Sequence, residues 1–465
     1  MYVRLLGLLP LLASCSLINS YDDVVEGGAG AGNAGGGEPT TTTTGTGTGT
    51  TSTGMGGDNT GGGGGPEVAP LDCQLVGLPD QVVTLQAEVG QKRTFRDRGF
   101  AWQPNGDRLR FVALVDDELR GYEVATSSGQ INGTWVLPDV DDMIDARTMM
   151  NNNAGILVTR RPPMFGDPIP VEFYSIGNQG FGGVGNFPVT TQTSDQGSVR
   201  GKFVHVGPEP NRIDLLLRTS MGPTQSVFYM RHLANGTNSM PVPITANPPF
   251  MDSEESNPAG LVRTTSGRIH AFIGEPDANG TAVRHWVFAE NATTSGDPIP
   301  LGAPGALFLD AANAGDMVNV AMAQVTMTTL GAHLGKIPEA QLDNLMLSDL
   351  HPAKQFDSFL DIPTAGRPLL VNDMFPLFGP NQTKDKFMLI LSRTTDGAVR
   401  FDDPEFLQPK SPDAQFGDLG LLTTDNPVIN LGGVLYILYS ERTNAGEVDE
   451  YDRVMMATVT CEPQQ

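Results

Sequence analysis

Ala259 to Ala289 reads AGLVRTTSGRIHAFIGEPDANGTAVRHWVFA. Three apolar runs rich in Val, Ile, Phe and Trp are separated by Thr265-Ser266-Gly267-Arg268 and Asp277-Ala278-Asn279-Gly280. The runs are too short for amphipathic helices and carry no 3.6-residue period. Gly and Asn supply the backbone conformations of tight turns. The stretch therefore predicts strand, turn, strand, turn, strand, an antiparallel meander about thirty residues long.

The same plan recurs on both sides. Asn426 to Thr460 (NPVINLGGVLYILYSERTNAGEVDEYDRVMMATVT) repeats it near the end of the chain. Leu109–Val115 with Leu119–Ala125 reads as a hairpin, as does Ile156–Thr159 with Val171–Ile176. Lys202–Val206, Ile213–Thr219 and Val227–His232 make a further unit. Met317–Thr329 is the least regular one, and Leu369–Val371, Lys386–Ser392 and Val399–Phe401 make a sixth. Asn132-Gly133, Asn235-Gly236 and Asn279-Gly280, each followed by Thr, read as hairpin turns rather than as glycosylation acceptors. Asn291 and Asn381 also match the acceptor pattern. The stretch Leu334–Phe359 has room for a short helix in an inserted loop. Units begin near residues 100, 154, 202, 259, 317, 369 and 427. Antiparallel units at such a spacing predict an all-β chain built as a β-propeller. Seven blades fit the spacing best, with six or eight as neighbouring solutions, and a pair of β-sandwiches or a β-helix as the alternative architectures.

Of 465 residues, 18% are charged, and 53 Asp and Glu against 29 Lys and Arg give a formal net charge of −24. A nucleic-acid partner needs a basic surface, so this balance argues against one. It argues equally against adhesion of the domain itself to anionic lipid. Self-repulsion of an acidic surface keeps an exported protein soluble.

The chain opens MYVRLLGLLPLLASCS, with Arg4 ahead of a nine-residue apolar run, Leu5–Ala13. Nine residues rise about 14 Å as helix, half the hydrocarbon thickness, which suits a signal peptide and not a membrane span. Leu12-Ala13-Ser14-Cys15 resembles the lipobox of bacterial lipoproteins. The resemblance implies cleavage before Cys15, acylation of its thiol and amine, and a lipid bilayer as the first partner. Several acyl chains anchor a protein stably where one does not. Ser16, in place of an Asp, resembles the pattern sorted to the outer membrane. Residues 26–66 (EGGAGAGNAGGGEPTTTTTGTGTGTTSTGMGGDNTGGGGGP) have no apolar period and no aromatic residue. Such a chain is a flexible tether spanning about 35 Å. The expected organisation is thus a signal peptide over 1–14, an acylated N-terminus over 15–25, a disordered tether over 26–66 and the propeller over 67–465.

With Cys15 assigned to lipid, Cys73 and Cys461 remain, and they bracket the β region. A propeller closes by bringing its first and last strands together, and export past the reducing cytosol lets a disulfide persist. A Cys73–Cys461 disulfide is the expectation. No CxxC or HxxxH spacing accompanies them, so zinc is not expected there.

Signatures such as GxSxG, HExxH, the Walker loop and the EF-hand loop are absent from the sequence. Two constellations remain as metal candidates. If Asp277–Gly280 closes a hairpin, His270 and His285 fall diagonally on one face of neighbouring strands and can seat a metal or an acid/base pair. Asp139, Asp141, Asp142 and Asp145 crowd LPDVDDMIDAR, read as an inter-strand loop, and Asp402, Asp403 and Glu405 crowd FDDPEF. Carboxylate-rich loops bind Ca²⁺, the one cofactor considered. SRTTDGAVRF (Ser392–Phe401) is similar to the Asp-box turn of sialidase-like propellers, but it lacks the residue between Asp396 and Gly397 and does not recur.

These readings converge on a lipid-anchored envelope protein whose propeller binds a protein or glycan without turning it over. A surface glycoside hydrolase or polysaccharide lyase is the competing class, because carboxylates paired by folding leave no local motif.

Overall fold

The computed structural model describes residues 71–463 apart from internal stretches, of which 189–198, 246–257 and 418–427 are the longest. Cys15, the tether, Asn235-Gly236, Asn291, Asn381, Leu369–Val371, Asp402, Asp403 and Glu405 lie outside the described residues.

The described strands form seven sheets, and the protein is a β-propeller. Blade one is Phe95–Trp102, Arg108–Val115, Glu118–Ala125 and Ile131–Leu137. Blade two is Val140–Thr148, Ala154–Arg160, Pro170–Gly177 and Gly180–Pro188. Blade three is Val199–His205, Ile213–Met221, Thr224–His232 and Val242–Thr245. Blade four is Pro258–Arg263, Ile269–Asp277, Gly280–Phe288 and Ile299–Pro300, the meander read from the sequence. Blade five is Ala306–Ala314, Met317–Val325, Leu330–Pro338 and His351–Phe356. Blade six contributes Ala365–Gly366, Met374–Pro380 and Phe387–Arg393. The closing blade joins Val428–Leu431, Val434–Thr443 and Tyr451–Pro463 to the N-terminal strand Leu71–Leu75. The first strands neighbour one another from the closing blade through blades one to five, which places them around the axis.

Each interior strand has two buried faces, one for each neighbouring blade. In Arg108–Val115, Leu109, Phe111, Ala113 and Val115 pack with Leu438, Val454 and Met456 of the closing blade. The alternate residues Val112 and Leu114 pack with Met143, Ile156 and Val158 of blade two. Blade three divides the same way. Ile213, Leu215 and Leu217 face Phe173 and Val171, while Leu216 faces Leu261 and Phe288. A strand buried on both faces reads as a continuous apolar run rather than a polar–apolar alternation. Across the seam between blades three and four, Tyr229 stacks on Phe288 at 3.9 Å between centroids. Burying each such side chain is worth about 1.5–3 kcal/mol.

Buried ion pairs recur between the second and third strands of the blades. Arg110 lies opposite Glu123 and donates to it at 2.6 and 2.8 Å. Asp214 faces Arg231 at 2.6 Å, and Glu441 faces Arg453 at 2.6 Å. Burial alone pushes the Glu123 carboxyl up. Hydrogen bonds and charge from Arg110 and Arg108 outweigh it and hold the group below the usual carboxylate range. A carboxylate depressed in the fold contributes fully above its unfolded value and loses that contribution as pH falls through the folded one. Glu123→Gln therefore costs about 3 kcal/mol at neutral pH, and its deficit against wild type narrows below about pH 4.5. Urea midpoints measured across that range check this; a deficit constant with pH rules the assignment out.

The sequence reading is corrected in four places. Val399–Phe401 does not belong to the sixth unit; it runs parallel to Leu71–Leu75 and covers the outer edge of the closing blade. Asn132-Gly133 lies within a strand beside a register shift, and the turn before it carries Gly129 at φ 64°. Gly280 pairs with Asp277, so it is a strand residue and not the second central residue of the turn. The expected loop around Asp139–Asp145 is instead the inner strand of blade two, Val140–Thr148.

Candidate functional site: a buried histidine pair at the seam of blades four and five

Asp277 and Gly280 pair, and this sets the register of the blade-four hairpin. His285 lies opposite Phe272, and His270, opposite Val287, is its diagonal neighbour on the same face. The expected diagonal placement of the pair thus holds, and folding brings it to full burial, with both rings 0% exposed. His285 stacks on Phe272 at 4.8 Å and on His270 at 5.0 Å, three near-parallel rings.

The rest of the site comes from blade five. After Leu330–Pro338 the chain forms two short 3₁₀ turns, Glu339–Asn344 and Leu347–Asp349. They fulfil the short helix expected in Leu334–Phe359. Leu342, Leu345 and Leu350 bury against Val262, Phe272 and Ile337, which seats the first turn over the blade-four hairpin. Seating it delivers two carboxylates. Glu339 Oε1 accepts Ser266 Oγ–H at 2.8 Å and Arg268 Nη1–H at 3.1 Å, and lies 3.3 Å from His270 Nε2. Asp343 Oδ1 lies 3.5 Å from His285 Nδ1, and Asp343 Oδ2 lies 3.7 Å from Arg268 Nη2.

The network assigns the ring protons. Glu339 is an acceptor, so His270 Nε2–H donates to it. His270 Nδ1 is then bare and takes the His285 Nε2–H, the 2.8 Å contact between the rings. That leaves His285 Nδ1 as a lone pair facing the Asp343 Oδ1 lone pairs. Both atoms are buried and neither has a hydrogen-bond partner. Burial, then the neighbouring His270 and Arg268, push His285 down to about 3. Burial also lowers His270, against the pull of Glu339. Glu339 is pushed up by burial, but hydrogen bonds from Ser266, Thr264 and His270 bring it below the usual range. At neutral pH the site holds two uncharged imidazoles between two carboxylates and one guanidinium.

The two histidines are not joint ligands through their facing nitrogens, because those nitrogens bond each other. The acidic stretch is elsewhere. Asp145 is fully buried, and its Oδ2 accepts the Phe203 N–H of blade three at 3.0 Å and Arg147 Nε–H at 3.1 Å. Arg147 Nη1 donates to the Leu261 carbonyl of blade four at 3.0 Å, so this cluster binds three inner strands together. Asp141 faces Arg161 at 3.8 Å, and Asp139 takes a left-handed φ of 58° just before the strand. Among the described residues no three His, Cys, Asp or Glu side chains converge on a metal-sized point. Sequence reasoning missed Glu339, Asp343 and Arg268. The only local signal for Glu339 and Asp343 was the helical stretch 334–359, which named no partner, and Arg268 was read only as a turn residue.

Cys73 and Cys461 occupy one rung of the closing ladder. Leu71–Leu75 runs antiparallel to Tyr451–Pro463 with Cys73 directly opposite Cys461.

No protein-family model matches the chain, and no curated protein matches it. Among solved structures it is similar to the Nup133 β-propeller domain of Vanderwaltozyma polyspora, at 9% identity over 78% of this chain and 94% of that one, with a TM-score of 0.43. It is also similar to a PL25 ulvan lyase, at 9% identity over 68% and 82% of the two chains, with a TM-score of 0.40. A third is an uncharacterized protein of Listeria monocytogenes, at 10% identity over 77% and 92%, also with a TM-score of 0.40. What these likenesses concern is the propeller fold alone.

Proposed function

We propose that this protein is a lipid-anchored propeller of the bacterial cell envelope. Acylated Cys15 holds it in the outer membrane, and the ring works as a non-catalytic scaffold that presents a face to a protein or glycan. The observation that carries this reading is the position of the strand nearest the N-terminus. Leu71–Leu75 sits on the outer side of the closing blade, beyond Tyr451–Pro463. A tether attached there leaves from the rim, so neither face of the ring is committed to the membrane. The buried seams between successive blades favour a rigid platform over a hinged one.

The same joint supports a Cys73–Cys461 disulfide as the covalent clasp of that platform. Residues directly opposed on antiparallel strands have Cα atoms about 4.5 or 5.5 Å apart. Both separations fall within the about 4.4–6.8 Å that a disulfide spans.

Two measurements on the full-length protein test the reading. Palmitate labelling in a bacterial host is expected to mark the wild type and not Cys15→Ala, with the label in the outer-membrane fraction. Screening the purified lipoprotein against a glycan panel is expected to give binding without cleavage. Turnover of any glycan transfers the protein to the competing hydrolase or lyase class.

A further inference from the structure

We propose that the 3₁₀ turn Glu339–Asn344 is an acid-released latch, docked on the blade-four hairpin while His270 and His285 are neutral and lifted when they take up protons. Both imidazoles are 0% exposed, and the turn lays its two carboxylates against them. Glu339 Oε1 lies 3.3 Å from His270 Nε2, and Asp343 Oδ1 lies 3.5 Å from His285 Nδ1. The docked chain of groups has three gaps, from Glu339 to His270, between the rings, and from His285 to Asp343. Two ring protons fill the first two. A third proton, on His285 Nδ1, would stand beyond the about 2.7–3.2 Å of an N–H···O bond, in a place that neither atom shares with water. It would also create a cation beside Arg268, whose guanidinium already meets Glu339 at 3.1 Å and Asp343 at 3.7 Å. Docked, the pair resists charge. Lifted, both rings reach water and titrate as ordinary histidines.

Among the described residues, the charged groups facing the pair are Arg268 from the hairpin and Glu339 and Asp343 from the turn. The rest of the seat is apolar. Val262 and Ala311 come from the inner strands of blades four and five, and Phe272 and Ile337 lie beneath Leu342, Leu345 and Leu350. The sign of the pH dependence follows. Burial, then His270 and Arg268, hold His285 far below its ordinary value, and burial lowers His270 as well. A histidine depressed in the fold supports docking above about pH 6.5. It loses that contribution as pH falls toward its docked value. Against burial, hydrogen bonds from Ser266, Thr264 and His270 hold Glu339 low, so its contribution is lost in the same direction, below about pH 4.5. Acid therefore opens the latch. A lifted 3₁₀ turn this short has no stability of its own. Its lifting uncovers Val262, Phe272 and Ile337, and turns a closed seam into an apolar patch. This inference stands apart from the envelope-scaffold reading, and neither falls with the other.

Amide hydrogen exchange on the full-length protein, normalised to the intrinsic rate at each pH, reads the latch directly. The reporters are the Leu345 and Asp349 N–H groups, which donate to the Leu342 and Met346 carbonyls at 3.4 and 2.9 Å. Their protection is expected to fall by about tenfold or more between about pH 6.5 and pH 5.0. The core strand Arg108–Val115 is expected to keep its protection over that range. His285→Phe leaves a ring on Phe272 and removes one titrating group, so the fall is expected to shrink by about half or more on a logarithmic scale. Where that variant does not fold, the wild type decides alone. Turn protection that stays constant down to about pH 5.0 overturns the proposal. So does a loss shared equally by Arg108–Val115, which is global unfolding, or an undiminished fall in folded His285→Phe.

Discussion

Breaking the proposed Cys73–Cys461 disulfide is expected to produce one of the two largest losses of stability available in this chain. The bridge would close a loop of roughly 390 residues, for which the chain-entropy relation gives about 6 kcal/mol. Measured dependence on loop length is weaker than that relation, and native disulfides commonly return 2–5 kcal/mol, so a loss of about 4 kcal/mol is the expected result for Cys73→Ser. Cys73 is 1% exposed, so serine there also buries a hydroxyl. Cys73→Ala and Cys73→Ser should therefore differ by only about 1 kcal/mol, with the larger common part coming from the lost crosslink. Urea midpoints under oxidising and reducing conditions separate the contributions: reductant should shift the wild type and leave both variants unmoved. A wild type indifferent to reductant, or thiols alkylated without reduction, sinks the clasp. The effect should fall on unfolding rates, because the N-terminal strand cannot peel from Tyr451–Pro463 within the closing blade while the crosslink holds.

The sequence carried the blade count because seam burial writes itself into strands. Arg108–Val115 and Ile213–Met221 are apolar on both faces, and turn residues punctuate them at a repeating interval. The meander at blade four was legible as strands and turns, though not as to which residues make the Asp277–Gly280 turn, and the diagonal placement of His270 and His285 was legible with it. The failures share a physical cause, which is that the deciding partner is distant. Val140–Thr148 carries three Asp residues and reads as a loop on propensity. It is a strand whose Asp145 is satisfied by the Phe203 N–H of blade three as well as by Arg147 beside it, and the first of these contacts no local pattern announces. Val399–Phe401 has the strand composition the sequence reading assumed, but its partner is 328 residues away at Leu71–Cys73. Glu339 and Asp343 stayed invisible for the same reason. A 3₁₀ turn in one blade acquires chemical meaning only when it is laid across the hairpin of another.

Asp452→Ala is expected to match or exceed the disulfide in cost, because the polar half of the closing joint converges on that one carboxylate. Asp452 is fully buried in Tyr451–Pro463. It accepts Arg442 Nε–H at 2.9 Å and Nη2–H at 3.1 Å from its own blade, and the Phe95 N–H of blade one at 2.8 Å. Main-chain bonds run beside it, from Asp452 N–H to the Arg93 carbonyl and from Leu85 N–H to the Asp452 carbonyl. The carboxylate thus spans the seam at which the chain's two ends meet. Removing it takes the buried carboxylate from the Arg442 guanidinium, which keeps a longer 3.6 Å approach to Glu450, and takes the side-chain acceptor from the Phe95 amide. Breaking a buried ion pair from one side costs about 3–5 kcal/mol. Asp452→Asn keeps one acceptor oxygen but loses the charge, and should recover part of that. Gly417 adds a packing control, because a Cβ added there would run into Ser440 Oγ and come within 3.2 Å of Asp452 Oδ2. The proposed crosslink and the Asp452 carboxylate act on the same strand, Tyr451–Pro463, from its two sides. Once the joint has opened at Asp452, the crosslink should matter less to folded-state cohesion and more to the size of the unfolded ensemble. A double-mutant cycle between Cys73→Ser and Asp452→Ala resolves that. Coupling of about 1 kcal/mol or more, with each single loss partly containing the other, is the signature of one cooperative joint. Strict additivity would mean that the ring closes by two independent devices.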